Sequence, residues 1–157
     1  MLAIARQESR FIPSVVSTSY ALGMMQFMPF VARDIAKKEK LENFSVSAMF
    51  DPRIAYLFGN IHLNFLEKSL YHPLFVAYAY NGGMGFTKRH LQAGAFSDGM
   101  YEPFLSMETM INEESREYGK KVLANYVVYR HLLGEDVSIK NLFEILLVPA
   151  ATDRFRN

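Results

Sequence analysis

The chain has 157 residues, of which 50% are hydrophobic and 21% are charged. This is an ordinary globular composition, and it excludes a disordered chain. The net charge of +1 argues against a nucleic-acid partner, and the absence of cysteine excludes disulfides, thiolate catalysis and sulfur-ligated metal sites. No apolar run reaches the roughly 18–20 residues that a membrane-spanning helix needs, so we expect no transmembrane segment.

The N-terminal third opens directly in a helical pattern and carries no signal peptide, so we expect the chain to be a fragment of a longer protein. Apolar residues spaced by three and four predict a first helix over residues 1–11, stopped by Pro13. A polar loop, Ser14 to Tyr20, follows. Gly23 to Phe27 is predicted as a short helix, and Pro29 is suited to the first position of the next helix.

The rest of the chain continues as helices. Asp51-Pro52 is a strong helix start, and its apolar stripe continues to about Leu70. Leu74 to Tyr80 form an apolar helix closed by Asn81-Gly82-Gly83. Further helices are predicted over about 84–93, 103–111, 113–133 and 138–147. We therefore predict one all-α domain over residues 1–149, with a polar, frayed C-terminal tail over 150–157.

Glu8 is the first candidate for chemistry. Its neighbours at helical spacing are Ile4, Ala5, Phe11 and Ile12, so the carboxylate lies on the apolar side of the first helix, near its C-terminal end. Burial and the negative helix end both disfavour the ionised form, so we expect a raised pKa, as a general acid requires. The alternative is a helix-edge glutamate that points into solvent or pairs with Arg10.

Three other segments combine polar and apolar groups. Met25 and Gln26 lie in an apolar run, where the amide could serve a polar ligand, although methionine-rich runs also simply fill cores. Tyr80 and Asn81 precede two glycines, which suits either a ligand or a helix C-cap. The segment Glu114 to Tyr118 opens a long helix, where acidic residues also complement the helix dipole.

The histidines are too scattered for a metal signature; they lie at positions 62, 72, 90 and 131. The run from Asn81 to Gly85 superficially suggests a phosphate loop, but no strand precedes it and no Lys-Ser/Thr pair follows. We therefore expect no metal and no cofactor.

Together these segments resemble the catalytic domain of the soluble lytic murein transglycosylases, which is related to goose-type lysozyme. Four segments carry the resemblance over about residues 1–133, in the family's order and at its spacings. They are Ala3-Ile4-Ala5-Arg6-Gln7-Glu8-Ser9, Ala21-Leu22-Gly23-Met24-Met25-Gln26 with Met28-Pro29, Ala79-Tyr80-Asn81-Gly82-Gly83-Met84-Gly85, and Glu114-Ser115-Arg116-Glu117-Tyr118 with Val122-Leu123-Ala124.

The resemblance implies a lysozyme-like helical domain that cleaves peptidoglycan between N-acetylmuramic acid and N-acetylglucosamine. Glu8 matches the family's catalytic acid/base. The matches expected to bind substrate are Ser17, Met25, Gln26, Tyr80, Asn81, Glu114 and Tyr118. The chain departs from the family at Tyr20 and Met84, where glycine and proline are common, and at Leu22, where serine is usual. These departures leave open whether chain ends or chain interiors are preferred.

A single carboxylate in an apolar helical setting fits a mechanism with substrate assistance rather than with two carboxylates. The hypothesis is that Glu8 protonates the glycosidic oxygen while the N-acetyl group assists, and that 1,6-anhydromuramic acid forms without water. The alternatives are a lysozyme-type hydrolase and a non-catalytic peptidoglycan-binding module. We expect glycan strands as the partner, a monomer, and, from the family alone, a periplasmic location.

Overall fold

A computed structural model of the chain describes residues 1–70, 72–97 and 99–146. The helices in these ranges are α1 (Leu2–Ser9), α2 (Pro29–Lys38), α3 (Pro52–Glu67), α4 (Pro73–Gly82), α5 (Met84–Gln92), α6 (Phe104–Glu108), α7 (Glu113–Leu132) and α8 (Ile139–Leu146). A short 3₁₀-helix, Val46–Phe50, precedes α3. Over the described ranges the regular structure is helical, apart from two isolated β-bridges, which confirms the all-α prediction.

The chain divides into two compact units, Met1–Phe65 and a second that begins at Leu66. The domain boundaries at 1–149 stay a prediction, and the tail over 150–157 lies outside the described residues.

The first helix ends two residues earlier than its apolar pattern predicts. Arg10 and Phe11 both adopt left-handed backbone conformations, with φ of 54° and 67°. The backbone N–H of Arg10 donates to the carbonyl of Arg6, and that of Phe11 donates to the carbonyl of Ala5, which closes the helix as a left-handed C-cap does. The helix is therefore stopped by its own cap, and the prediction that Pro13 stops it is wrong.

Aromatic packing forms the core of the first unit. The ring of Phe58, on α3, lies edge-on to Phe27 at a centroid distance of 6.4 Å and stacks on Phe44 at 5.2 Å. Met25, in the loop before α2, is fully buried, and its side chain lies against Gly59, which is also on α3. These contacts hold the segment before α2 against α3.

Two prolines begin helices as predicted. Pro29 occupies the start of α2 and Pro52 the start of α3, where the missing N–H costs no hydrogen bond. The side chain of Asp51 accepts from the backbone N–H of Arg53 at 2.9 Å, so the predicted cap is confirmed. The second of these helices ends at Glu67 rather than near Leu70.

In the second unit, α4 packs closely against α7. Leu74, Phe75, Ala77, Tyr78 and Ala79 of α4 are at most 2% exposed. A Cβ atom on Gly119, in α7, would lie only 2.1 Å from a ring carbon of Tyr78. The two helices can approach this closely only because position 119 has no side chain.

An ion pair and a hydrogen bond connect α6 to α7. The ammonium group of Lys120 contacts the carboxylate of Glu108 at 3.0 Å and that of Glu117 at 2.8 Å. Arg116 also donates to the backbone carbonyl groups of Glu108 and Met110. These contacts hold the first two turns of α7.

His72 caps α4 and contacts the last helix of the described chain. Its Nδ1 accepts from the backbone N–H of Leu74 at 3.1 Å, so the ring proton sits on Nε2, which donates to the carbonyl of Leu142 at 3.0 Å. The residue is 1% exposed. Burial lowers the pKa of His72 to about 4, because a charged ring there would lose its hydration.

We predict that Gly119→Ala lowers the free energy of unfolding by about 3 kcal/mol, because the buried Tyr78 ring cannot move away from the added methyl group. Gly85→Ala is the matched control, since a Cβ there meets only the flexible end of Arg89. Urea unfolding of the three proteins measures the difference. Equal losses in the two variants would show that the α4–α7 distance does not depend on Gly119.

We predict that the free energy of unfolding decreases as the pH is lowered from 6.5 to 4. In this range His72 takes up a proton in the unfolded chain but not in the folded chain. A pKa lowered from 6.5 to about 4 corresponds to roughly 3 kcal/mol of lost stability. His72→Asn retains an N-cap acceptor but does not titrate, so its unfolding free energy should change less over this range. The same pH dependence in both proteins would contradict this role of His72.

Candidate active site

The predicted site residues fall in both units. Glu8, Ser17, Met25 and Gln26 belong to the first unit, whereas Tyr80, Asn81, Glu114 and Tyr118 belong to the second.

Glu8 lies in the last turn of α1, one residue before the helix ends. Its neighbours one turn earlier, Ile4 and Ala5, are 4% and 0% exposed, and Glu8 itself is half-buried. Glu8 therefore follows two buried apolar residues on one face of α1, and its role as acid/base stays a prediction. The raised pKa expected for this carboxyl group stays a prediction.

Ser9 links the helix that carries Glu8 to the segment that follows. Its hydroxyl donates to the backbone carbonyl of Met24 at 2.8 Å, and the residue is 6% exposed. A buried bond of this kind holds the end of α1 in register with the turn at Met24. Ser9 is not among the predicted site residues, since a serine that follows a glutamate in sequence carries no signal of its hydrogen-bond partner.

The segment from Val15 to Phe27 is a folded loop, and the prediction of a short helix over Gly23 to Phe27 is wrong. Leu22 forms antiparallel bridges with both Val16 and Phe27. Between the bridges, Gly23 and Gln26 adopt left-handed conformations, with φ of 74° and 50°. The apolar spacing resembles that of a helix, but these two left-handed residues produce a tight turn instead.

Gln26 stabilises this turn with its own side chain. The carboxamide nitrogen donates to the carbonyl of Gly23 at 2.8 Å and to that of Val15 at 3.2 Å. Both of its N–H groups therefore serve the loop. The carboxamide oxygen takes no part in these two bonds, and the predicted contact of Gln26 with substrate stays a prediction.

Gly23 is required at its position for two reasons. Its φ of 74° suits glycine, and a Cβ atom there would lie 1.9 Å from the backbone carbonyl oxygen of Met49. The turn therefore lies directly on the 3₁₀-helix before α3.

Ser17 and Met25 have different environments. The hydroxyl oxygen of Ser17 accepts from the backbone N–H of Ala21 at 2.9 Å, and this bond leaves the hydroxyl proton available for donation. Met25 is fully buried, which favours the core-packing alternative for its side chain. Its predicted contact with substrate stays a prediction.

In the second unit, the candidate residues lie at the C-terminal end of α4 and the N-terminal end of α7. Tyr80 and Asn81 are half-buried in the last turn of α4. Gly83, with φ of 87°, ends this helix and precedes the next. The predicted glycine cap is therefore confirmed, two residues after Asn81.

Asn81 is held from two sides. Its Nδ2 donates to a carboxylate oxygen of Glu114 at 3.0 Å, and its Oδ1 accepts from the hydroxyl of Ser115 at 2.6 Å. The structure thus joins two predicted site residues, Asn81 and Glu114, through a direct hydrogen bond. Ser115, which is not among the predicted site residues, is fully buried beside them.

Glu114 and Tyr118 lie one turn apart on α7 but differ in exposure. Glu114 is exposed, whereas Tyr118 is 6% exposed. The side chain of Glu114 is therefore open to solvent, whereas most of the Tyr118 ring is packed inside the second unit. The predicted contact of Tyr118 with substrate stays a prediction.

Within residues 1–70, 72–97 and 99–146, no three histidine, aspartate or glutamate side chains are grouped so that they could hold a metal ion. Among the helices described, none has the length and apolar character needed to span a membrane.

Comparison with known protein families identifies one domain. The family described as "Transglycosylase SLT domain" matches residues 1–99. The soluble lytic murein transglycosylase of Escherichia coli strain K12 is 30% identical over 145 residues, which is 91% of this chain and 22% of that protein. The enzyme of the same name from Salmonella typhimurium is 31% identical over 136 residues, covering 85% of this chain and 21% of its own length.

Solved structures give the same assignment. The 70-kDa soluble lytic transglycosylase of E. coli has a TM-score of 0.76 at 29% identity, over 95% of this chain and 23% of that one. A 70-kDa soluble lytic transglycosylase in complex with bulgecin A gives 0.78 at 30% identity, over 88% and 23%. The present chain thus spans about a fifth of the length of these relatives, and it belongs to the transglycosylase SLT domain family.

Proposed function

We propose that this domain cleaves the β-1,4 bond between N-acetylmuramic acid and N-acetylglucosamine in peptidoglycan without water, leaving 1,6-anhydromuramic acid ends. The observation that carries the proposal is the position of Glu8, half-buried beside Ile4 and Ala5 at the C-terminal end of α1. Membership of a family whose curated relatives are lytic murein transglycosylases supports it.

In the first step, Glu8 acts as general acid. Its apolar neighbours and the negative helix end favour the protonated carboxyl, which can donate its proton to the glycosidic oxygen. The bond from C1 to that oxygen breaks as the N-acetyl oxygen of the muramic residue approaches C1. Substrate assistance of this kind replaces the second carboxylate that most glycosidases use.

In the second step, Glu8 acts as general base. Its carboxylate removes the proton from the C6 hydroxyl of the same sugar, and this oxygen bonds to C1 as the assisting N-acetyl oxygen leaves. The glutamate regains the proton that it donated, so the cycle consumes no water and needs no other acid. This proton balance is why one carboxylate suffices.

The remaining candidates bind and orient the sugar in this proposal. Ser17 has a hydroxyl proton to donate, and Gln26 has a carboxamide oxygen that can accept. Tyr80 and Asn81 supply the hydrogen bonds that hold the N-acetyl group. A positioned amide is suited to this task because it can donate to a carbonyl oxygen without changing its charge.

Two solved structures of lytic transglycosylases are relevant to the proposal. One is an inactive mutant of the lytic transglycosylase Slt of Pseudomonas aeruginosa in which a single glutamate is replaced by glutamine, with a TM-score of 0.74 at 27% identity over 86% of this chain and 22% of that one. The other was solved with bulgecin A. Loss of activity on exchange of one glutamate means that this relative needs that carboxyl group, as the proposal requires of Glu8.

The proposed reaction also implies a partner, an oligomeric state and a cellular location. The partner is the glycan strand, the domain works as a monomer, and it needs no cofactor. Because murein lies outside the cytoplasmic membrane, the reaction takes place in the periplasm. A membrane-bound lytic murein transglycosylase from Pectobacterium atrosepticum, 39% identical over 57% of this chain and 28% of that protein, is a relative named for the same polymer.

We predict that Glu8→Gln reduces the rate of product release from purified peptidoglycan by at least about 100-fold, because the amide keeps the shape but has no acidic proton. Mass spectrometry of the released muropeptides measures the rate and identifies the product. The wild-type product should be lighter by one water molecule than a muropeptide with a reducing end.

Glu42→Gln is the matched control, since Glu42 is exposed on the same unit, and it should retain full activity. Both variants should unfold at the wild-type temperature and still sediment with insoluble peptidoglycan. More than a few per cent of residual activity in Glu8→Gln would contradict the assignment. Products with reducing ends would favour a hydrolase, and a folded wild type that binds but releases nothing would favour a binding module.

A further inference from the structure

We propose that Ser115 is a positioning residue that, together with Glu114, sets the orientation of the Asn81 carboxamide. This inference rests on the proposed function, in which Asn81 holds the N-acetyl group. The hydroxyl of Ser115 donates to Oδ1 of Asn81 at 2.6 Å across a separation of 34 residues in sequence. Ser115 itself is fully buried, so it cannot meet a polymeric substrate directly.

The two partners of Asn81 fix which way its amide faces. A carboxylate such as Glu114 can only accept, so the nitrogen end of the carboxamide must face it. The oxygen end then faces Ser115, whose hydroxyl must donate. A carboxamide turned by 180° would direct its oxygen at the carboxylate and lose one bond while gaining a repulsion.

Ser115 is held in place by its own surroundings. Its backbone N–H donates to the side chain of Asn112 at 3.0 Å, which caps α7. A Cβ atom on Gly82, the residue after Asn81, would lie 2.8 Å from the Ser115 hydroxyl oxygen. Ser115 can therefore approach the end of α4 because position 82 has no side chain. The contact between Gly119 and Tyr78 joins the same two helices and keeps α4 and α7 at this close distance.

The consequence is one oriented donor. The two bonds use one N–H group and one oxygen lone pair of Asn81, so its second N–H keeps a fixed direction. A donor held in advance at the N-acetyl oxygen favours the reactive arrangement without reorganisation during the reaction. A carboxamide free to turn would spend part of its time with oxygen facing oxygen, which slows the chemical step more than it weakens binding.

Ser115→Thr and Ser115→Val form a matched pair for testing this role. Both add the same volume in the same buried place, and only threonine retains the hydroxyl. We expect the valine variant to have a kcat about 10-fold below that of the threonine variant, with KM changed less than threefold. The added volume could lower the kcat of both larger variants through packing alone. Ser115→Ala adds no volume, and we expect its kcat to be about 10-fold below that of the wild type.

A double-mutant cycle tests whether Ser115 acts through Asn81. In an Asn81→Ala background, the threonine and valine variants should have equal kcat values. Ser106→Ala is the control for general damage, because it also removes a buried hydroxyl of the second unit and should leave kcat unchanged once its stability loss is allowed for. Equal kcat values for threonine and valine with Asn81 present, or a difference that persists without Asn81, would overturn the proposal.

The side-chain amide signals of Asn81 in ¹⁵N NMR spectra test the orientation without any activity. We expect one well-resolved NH₂ pair in the wild type and the threonine variant, and shifted, exchange-broadened signals in Ser115→Val, Ser115→Ala and Glu114→Gln. Unchanged Asn81 signals in the alanine variant would overturn the positioning role even if the domain proved to have another substrate. Altered signals without anhydro products from any protein would instead contradict the proposed function alone.

Discussion

The ring of Tyr78 on α4 packs directly against Gly119 on α7, and the arrangement of Asn81, Glu114 and Ser115 depends on this contact. A methyl group at position 119 would overlap the buried tyrosine ring, so glycine there sets the distance between α4 and α7. Ser115 lies one turn before Gly119, and Asn81 nearly one turn after Tyr78. Hydrogen bonds of 2.6 and 3.0 Å between these helix ends tolerate little change in that distance.

In the first unit, hydrogen bonds from side chains to the backbone hold the candidate residues. Ser9 ties the end of α1 to the carbonyl of Met24, and Gln26 ties the following turn to Val15. Gly23 allows this turn to lie on the carbonyl of Met49. The result is that the helix carrying Glu8 and the loop carrying Ser17 and Gln26 are held together by buried or half-buried polar bonds, which are costly to leave unmade.

Much of the fold could be predicted from the sequence because its helix starts use local signals. Pro29, Asp51-Pro52 and Gly83 act within one turn of their own positions, so they are legible without a structure. The early end of α1 was not predictable, since arginine and phenylalanine seldom adopt the left-handed conformation that Arg10 and Phe11 have. The turn at Gly23 was misread because its apolar spacing is also that of a helix.

The candidate site divides in the same way. Glu8 could be selected from periodicity, since Ile4 and Ala5, four and three residues earlier, belong to the same short helix, although Phe11 and Ile12 lie beyond its end. Ser115 could not be selected, because its burial and its partner depend on α4, which lies more than 30 residues earlier. Gln26 could be selected, but its use of both N–H groups inside the loop follows only from the positions of the Val15 and Gly23 carbonyl groups.

The central claim is that one carboxyl group both donates and recovers the proton, so that a sugar hydroxyl rather than water closes on C1. Digestion of purified peptidoglycan in H₂¹⁸O, followed by mass spectrometry of the released muropeptides, tests this most directly. The account predicts products that carry no ¹⁸O and are one water molecule lighter than reducing-end muropeptides. Incorporation of one ¹⁸O atom per cleavage would contradict it and would show that water attacks C1.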